Sequence, residues 1–341
     1  MHPVFDGHND TITREDAKDI ARGRTGGHLD LPRMHTGGMR AGIFAVFTSS
    51  PGEELTVPRD DGVLEFELAA PISHQRAAAH ATAAAGRLLG LEREGDLRLG
   101  RTIADLDAAR DGDGPPVAVL HLEGAEAIDP GLESLDFWYA AGLRSLGPVW
   151  SRANAFGHGV PFVFPGSPDI GPGLTEAGTA LVRRCAELGI LVDLSHLNEA
   201  GFWDVARLEP GPLVASHAGA WELANASRNL TDAQLDTIAG SDGLVGIVFA
   251  ASFLRRDFRD SPDTPLELIV EHARYVADRI GVRHVALGSD FDGTTIPAPL
   301  GDVSGLPKLF DALAAAGFGD DELAAIAWEN WRRVLSAWWK S

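Results

Sequence analysis

Short apolar runs alternate with longer amphipathic ones along most of this chain. VFDGHND near the N-terminus, AGIFAVFTS (41–49), VAVLHLEG (117–124) and LRSLGPVW (143–150) have the length and apolar content of buried strands. So do ILVDLSH (190–196), PLVASH (212–217), GLVGIVFA (243–250) and HVALGSD (284–290). Between them apolar residues recur at helical spacing: from about Val63 to Leu91, in TEAGTALVRRCAELG, NEAGFWDVARL and TDAQLDTIAG, and in LELIVEHARYVADRIG. Two more helices are predicted near 304–316 and 320–338. Eight strands separated by helices predict an α/β protein, a (β/α)8 TIM barrel in one domain spanning 1–341. A doubly wound open sheet is the alternative. It does not usually bring residues from so many strands into one crevice. The Pro/Gly-rich segments 51–62 and 151–173 read as long loops after strand ends, placed to rim the barrel mouth.

The strand-like runs carry the chemistry at one end. They finish in His8 and Asp10, Glu123, His196, His217 and Asp290. A parallel barrel gathers the C-terminal ends of its strands on one face, so these residues converge. Three histidines and three carboxylates are the ligand set of a two-metal hydrolase. His8 and Asp10 are two apart on an extended segment, which points both to one face. Alone, that spacing is more often a turn with a capping Asp; its place at the end of the first strand makes it a candidate. Glu123 has two oxygens and can bridge two cations, with a solvated loop acid as the plainer reading. His121 lies deeper on the same face and reads as a packed or supporting histidine. His196 and His217 end consecutive strands with matching Ser-His endings, close enough to share an ion. Asp290 is placed to take a proton from an attacking water and pass it to a leaving amine, with Asp292 the less favoured candidate. Arg228 suits a substrate carboxylate; a surface ion pair is its plainer reading. His28, His35, His74, His80, His158, His272 and His284 have no comparable placement and are taken as structural or surface residues.

Bulk composition narrows the partners. The formal net charge of −20 over 341 residues argues against nucleic acid and anionic membranes. The single cysteine, Cys185, rules out an internal disulfide and reads as core filler within a helix. No basic and apolar leader opens the sequence, and no run of about 18 apolar residues occurs, so a cytoplasmic protein is expected.

The stretches DGHND, HLEGAEAI, DLSH, ASH, SRNLTD and GSDFDG, in that order, resemble the membrane (renal) dipeptidase family of zinc metallopeptidases from residue 6 to about 293. The resemblance implies a (β/α)8 barrel with two Zn2+ ions per chain. His8, Asp10 and Glu123 would hold one ion, and Glu123, His196 and His217 the other. A metal-activated water would attack the peptide carbonyl of a dipeptide. Asp290 would manage protons, and Arg228 would hold the C-terminal carboxylate. Family members commonly accept a D-residue at the C-terminal position and form homodimers. One position departs from the pattern. The family usually ends its fourth strand in a histidine that polarises the scissile carbonyl; here Trp150 stands at that place, which puts rate and substrate range in question. Indole donates one N–H but carries no charge near neutral pH. His158, further along the loop, is a weaker candidate for that role.

Three functions compete on this reading. The first is a dizinc dipeptidase. The second is an amidohydrolase of the same chemistry acting on an N-acyl amino acid or a modified dipeptide, motivated by Trp150. The third is a metal- or ligand-binding protein without hydrolysis. Asp290 argues against the third, because it is not needed to hold ions.

Overall fold

The computed structural model describes residues 2–50, 56–58, 64–66, 70–112 and 114–340. Eight parallel strands form the centre: β1 (Val4–Asn9), β2 (Met39–Phe47), β3 (Val117–Glu123), β4 (Leu143–Gly147), β5 (Leu191–Val192), β6 (Val214–Ala218), β7 (Leu244–Ile247) and β8 (Val285–Leu287). They pair in sequence order, β1 to β5 in one sheet and β6 to β8 in another. Two seams join the sheets into a ring. Asp193 bridges Val214 between β5 and β6, and Leu194 N donates to Val214 O at 2.8 Å. Asn9 bridges Phe291 between β1 and the end of β8. The ring is the predicted barrel, and the open-sheet alternative falls with its closure.

The register sets the height of the chemistry. Along β2 and β3 the pairs run without a shift from Ala41–Val117 to Phe47–Glu123, and Glu123 in turn faces Gly147 on β4. Gly246 and Gly288 lie so close to the carbonyl of Ser216 that a Cβ at either would overlap it, so β7 and β8 crowd under β6 only because both positions are bare.

Outer helices form where the sequence caps them. Thr175 accepts from Gly178 N to start Glu176–Leu188, and Gly189, at φ 79°, ends it. Cys185 is buried on the inner face of that helix, as core filler. Thr231 and Gln234 make a reciprocal capping box for Asp232–Gly240. The last helix, Asn330–Trp338, locks under the barrel: Trp331 Nε1 donates to Leu287 O at 3.0 Å and its ring packs against Phe5.

Two boundaries differ from expectation. The helix predicted from about Val63 begins at His74 and runs to Glu94, because Ser73 supplies the N-cap after Pro71. Leu64–Phe66 is instead a strand; it pairs antiparallel with Thr56–Pro58 and Val163–Phe164. The two predicted loops thus each contribute a strand to one small sheet, and the remainder of 51–62 lies outside the described residues. Among the described residues, no helix is long and apolar enough to cross a membrane.

Candidate metal centre

Five of the predicted ligands meet at the C-terminal end of the ring. Glu123 Oε1 lies 2.8 Å from His196 Nε2, 3.6 Å from His8 Nε2 and 3.7 Å from His217 Nε2. The two nitrogens of His196 and His217 are 3.1 Å apart. Asp10 Oδ2 stands 3.9 Å from His8 Nε2. Asp10 is already past the strand: it caps the 3-10 turn Thr11–Thr13 with φ −99° and ψ 12°. Its side chain therefore returns to the pocket through a turn, and strand alternation is not what places it.

Among the described residues three groups have the spacing of metal sites: Glu123 with His196 and His217, His8 with Asp10 and Asp290, and, sharing a histidine with each of these, His8 with Asp193 and His217. Buried atoms without a hydrogen-bond partner include His8 Nε2 and Asp10 Oδ1. Unsatisfied buried nitrogen and oxygen donors facing one point are what a divalent cation repays. The residues present fit a divalent metal centre.

Electrostatics give the same indication. Burial opposes ionisation of Glu123, but His8 and His196 outweigh it and hold the carboxyl well below its usual range. Asp10 is pushed well above its ordinary value by burial and then by Glu123. Asp290 rises to about 7, from burial first and with Glu123 adding, against the pull of His8 and Arg228. Burial lowers His196 to about 4, with Arg228 adding, and lowers His217 well below its usual value, with His8 adding. His8 moves the other way, to about 10: burial lowers it, but Glu123, Asp10 and Asp290 prevail. Without added positive charge, so many carboxylates and imidazoles cannot all take their ordinary forms together.

Asp290 and Asp292 separate clearly. Asp290, at φ 60°, turns its carboxylate into the cavity beside Asp10. Asp292 accepts from Arg24 Nη1 at 2.5 Å, Thr11 Oγ1 at 2.8 Å and His28 N at 2.7 Å. Its oxygens are committed to holding the mouth loop. Arg228 is buried, with Nη2 2.8 Å from His217 Nε2 and 3.1 Å from His217 O, and its Nε has no partner. Among the described residues no carboxylate lies within ion-pair distance of it, so the surface-pair reading does not apply.

The groups open into a cavity of about 590 Å3, lined among others by Phe47, Trp150, Phe162 and Phe253. Trp150 is three residues beyond the end of β4 and 8% exposed. Its ring lies 4.8 Å from Phe47, 5.6 Å edge-on to Phe162 and 5.8 Å from His196. Arg152 stacks over it at 5.3 Å, held in turn by Glu126 at 2.8 Å and Thr48 O at 2.9 Å. His158 Nδ1 meets Gly173 O at 3.2 Å, within the loop's own hydrogen bonding.

His28, expected to be structural or surface, lines the cavity and takes Asp292 N at 3.0 Å. Sequence reasoning also passed over Asp193, which sits beneath the histidines. Burial opposes its ionisation, but His121 and the Ser216 donors keep it below the usual carboxylate range. The sequence signal was slight: a carboxylate inside the apolar run LVDLSH, just past the end of β5 at Val192. His121 is buried edge-on to His8, 5.5 Å between rings, as the supporting reading expected.

The chain matches the family model described as membrane dipeptidase (peptidase family M19) over residues 1–339. An uncharacterised protein encoded in the pqqA 5′ region of Klebsiella pneumoniae is 48% identical over 246 residues, covering 72% of this chain and 90% of that protein. The crystal structure of a metallopeptidase described as dipeptidase AC, of family M19, is 46% identical with a TM-score of 0.92, covering 100% of this chain and 99% of the other. A metallopeptidase from Rhodobacter sphaeroides, solved with a phosphinate mimic of the dipeptide L-Ala-D-Ala, is 44% identical with a TM-score of 0.92, covering 99% of each chain.

Proposed function

For this chain, which belongs to the membrane dipeptidase family and is a metal-dependent hydrolase of dipeptides, we propose that two zinc ions bridged by Glu123 form the catalytic centre. His8 and Asp10 complete one position, and His196 and His217 the other. The convergence of three imidazole nitrogens within 3.7 Å of one carboxylate oxygen carries this reading. When bound, such ions supply Lewis acidity and make a water nucleophilic near neutral pH.

The chain's own residues then do the rest. Arg228, buried and free of any carboxylate among the described residues, takes the C-terminal carboxylate of the dipeptide. Asp290 accepts a proton from the water as its oxygen bonds to the peptide carbon, and returns it to the amine as the C–N bond breaks. Trp150, with Phe47, Phe162 and Phe253, forms an apolar wall for a substrate side chain. A cavity of about 590 Å3 suits a ligand of this size.

The aromatic wall favours one second reading, the same hydrolysis applied to an N-acyl amino acid, which presents an amide and a carboxylate but no ammonium. A panel of L,L- and L,D-dipeptides beside N-acyl amino acids, assayed with added zinc, decides between them. Elemental analysis should find close to two ions per chain, and Glu123→Ala should lower occupancy of both positions. One ion, or one position untouched in that variant, counts against the bridge. A cytoplasmic homodimer is the accompanying expectation, checked by fractionation and light scattering.

A further inference from the structure

Below the metal-facing nitrogens the barrel interior holds a second polar group that binds nothing from the cavity. Asp193 is 3% exposed and accepts four hydrogen bonds. Ser195 N at 3.2 Å, Ser195 Oγ at 2.7 Å and Ser216 N at 2.8 Å reach its Oδ1; Ser216 Oγ reaches its Oδ2 at 2.6 Å. His121 comes no nearer than 3.9 Å through Nε2, and its Nδ1 meets Ser145 Oγ at 2.8 Å.

A serine hydroxyl has one proton and two lone pairs. Both serine protons are directed to Asp193, so the 3.2 Å contact between the two hydroxyl oxygens has no proton of its own. Ser216 Oγ is left as an acceptor. Its other contacts are His217 Nδ1 at 2.8 Å and His8 Nδ1 at 3.4 Å. Each imidazole must then bring a proton on Nδ1. On a neutral ring this leaves the lone pair on Nε2, the atom that faces Glu123. His196 is held separately, its Nδ1 2.7 Å from Ser151 Oγ.

We propose that Asp193, acting through the single hydroxyl of Ser216, is a positioning residue that fixes the tautomer and ring orientation of His8 and His217 together. Because those histidines are assigned to different ions, one buried carboxylate prepares both metal positions. That last step rests on the two-ion reading; the Nδ1 protonation itself does not.

Asp193→Asn tests the proton count. Two backbone N–H groups keep the amide oxygen at the Oδ1 place, so the NH2 group replaces Oδ2 and donates to Ser216 Oγ. The Ser216 proton then goes to Ser195 Oγ at 3.2 Å or to Nδ1 of one histidine, and with the amide donating to Ser216 Oγ only one lone pair is left there for the two Nδ1–H groups, so one imidazole loses its partner. Long-range 1H–15N spectra of the full chain with labelled imidazoles, recorded where both rings are neutral, should show hydrogen on Nδ1 and none on Nε2 of His8 and His217 in the wild type. In Asp193→Asn one of them should lose either that hydrogen or its hydrogen-bonded shift, with His196 unchanged. Zinc titrations should show affinity falling about 10- to 100-fold at both positions in Asp193→Asn and in Ser216→Ala, the loss typical of removing a ligand's hydrogen-bond partner. Ser151→Ala should weaken only the position that uses His196. Wild-type imidazole patterns in Asp193→Asn, or zinc affinities within about 2-fold of wild type in Ser216→Ala, overturn the proposal. If Asp193→Asn does not fold, Ser216→Ala decides. A wild type that binds a single zinc, yet shows the expected Nδ1 shift, sinks the two-ion reading and upholds the positioning role.

Discussion

Asp10 and Asp290 come from opposite ends of the chain and meet across the seam that closes the barrel. Asp10 N donates to Phe291 O at 2.8 Å, and Asp290 N donates to His8 O at 2.9 Å. These two bonds hold both carboxylates beside His8. Gly293 follows them so closely that a Cβ there would strike both carboxylates. The seam is therefore part of the site: closing the barrel assembles the proton-handling side of the cavity from the first strand and the last.

Asp290→Asn should bind zinc nearly as well as wild type and lose most hydrolysis. The substitution keeps shape and removes the proton acceptor, a function that contributes roughly 10²–10⁴-fold in rate. Zinc titration beside kcat on one dipeptide checks it. Activity within a few-fold of wild type would place the base elsewhere. Asp292 is the poorer substitute, since Arg24, Thr11 and His28 already occupy its oxygens.

Arg228→Ala should distinguish dipeptides from their C-terminal amides. Leaving a buried substrate carboxylate unpaired should cost about 2–5 kcal/mol in kcat/KM. The amides lack that charge and should lose far less. Equal losses on both substrates would make Arg228 a support for His217, which it touches at 2.8 Å.

His272 sets part of the acid limit of stability. It is 1% exposed; Nδ1 accepts from Ala220 N at 2.9 Å and Nε2 donates to Leu254 O at 3.2 Å. Burial lowers it from 6.5 to about 4, with the hydrogen bond to Leu254 O opposing and Arg256 adding. Between those values the unfolded chain binds a proton that the folded chain does not, so stability rises with pH. The contribution is complete above about 6.5 and is lost as pH falls toward 4, to a total of about 3 kcal/mol. His272→Asn should lower stability at pH 7 and flatten this dependence. Urea midpoints from pH 7 to pH 4 read both effects; parallel curves would show that the ring titrates normally in the fold.

The barrel and the meeting of His8, Glu123 and His217 at one end of its strands were legible in the sequence because both follow from strand periodicity. Apolar runs marked the strands, and their ends marked the face. What escaped lay where periodicity stops. The helix start at His74 depended on the cap at Ser73, not on the apolar spacing that runs through Leu64–Phe66. Asp10 reached the site through a turn. Asp193 was not singled out from the run LVDLSH, and only the facing of Ser195 and Ser216 in three dimensions reveals what it holds. His28 and the aromatic wall come from loops, whose closure on the cavity is set by contacts distant in sequence, such as Asp292 with Arg24.

Trp150 stands where the resemblance to the family leads one to expect a histidine, and its surroundings sharpen the test. The indole borders the cavity, lies 5.8 Å from the ring of His196, and is fixed on its other sides by Phe47, Phe162 and Arg152. Trp150→His exchanges a neutral wall for a side chain that can donate to a developing oxyanion and carry charge. A well-placed donor is worth about 10²–10³-fold in kcat; one introduced without its own supports should return roughly tenfold of this on small dipeptides. The gain should appear in kcat, because polarisation acts on charge that develops in the transition state. The same change removes aromatic contacts worth about 1 kcal/mol, so dipeptides with large apolar side chains should lose affinity while alanyl substrates gain turnover. Trp150→Phe is the control: it keeps the wall, adds no donor, and should leave kcat on alanyl dipeptides near wild type. His158→Ala should likewise spare turnover, since His158 is engaged with Gly173 and does not line the cavity. A uniform loss across all substrates in Trp150→His, or a collapse of turnover in His158→Ala, would assign the indole to packing and carbonyl polarisation to another group.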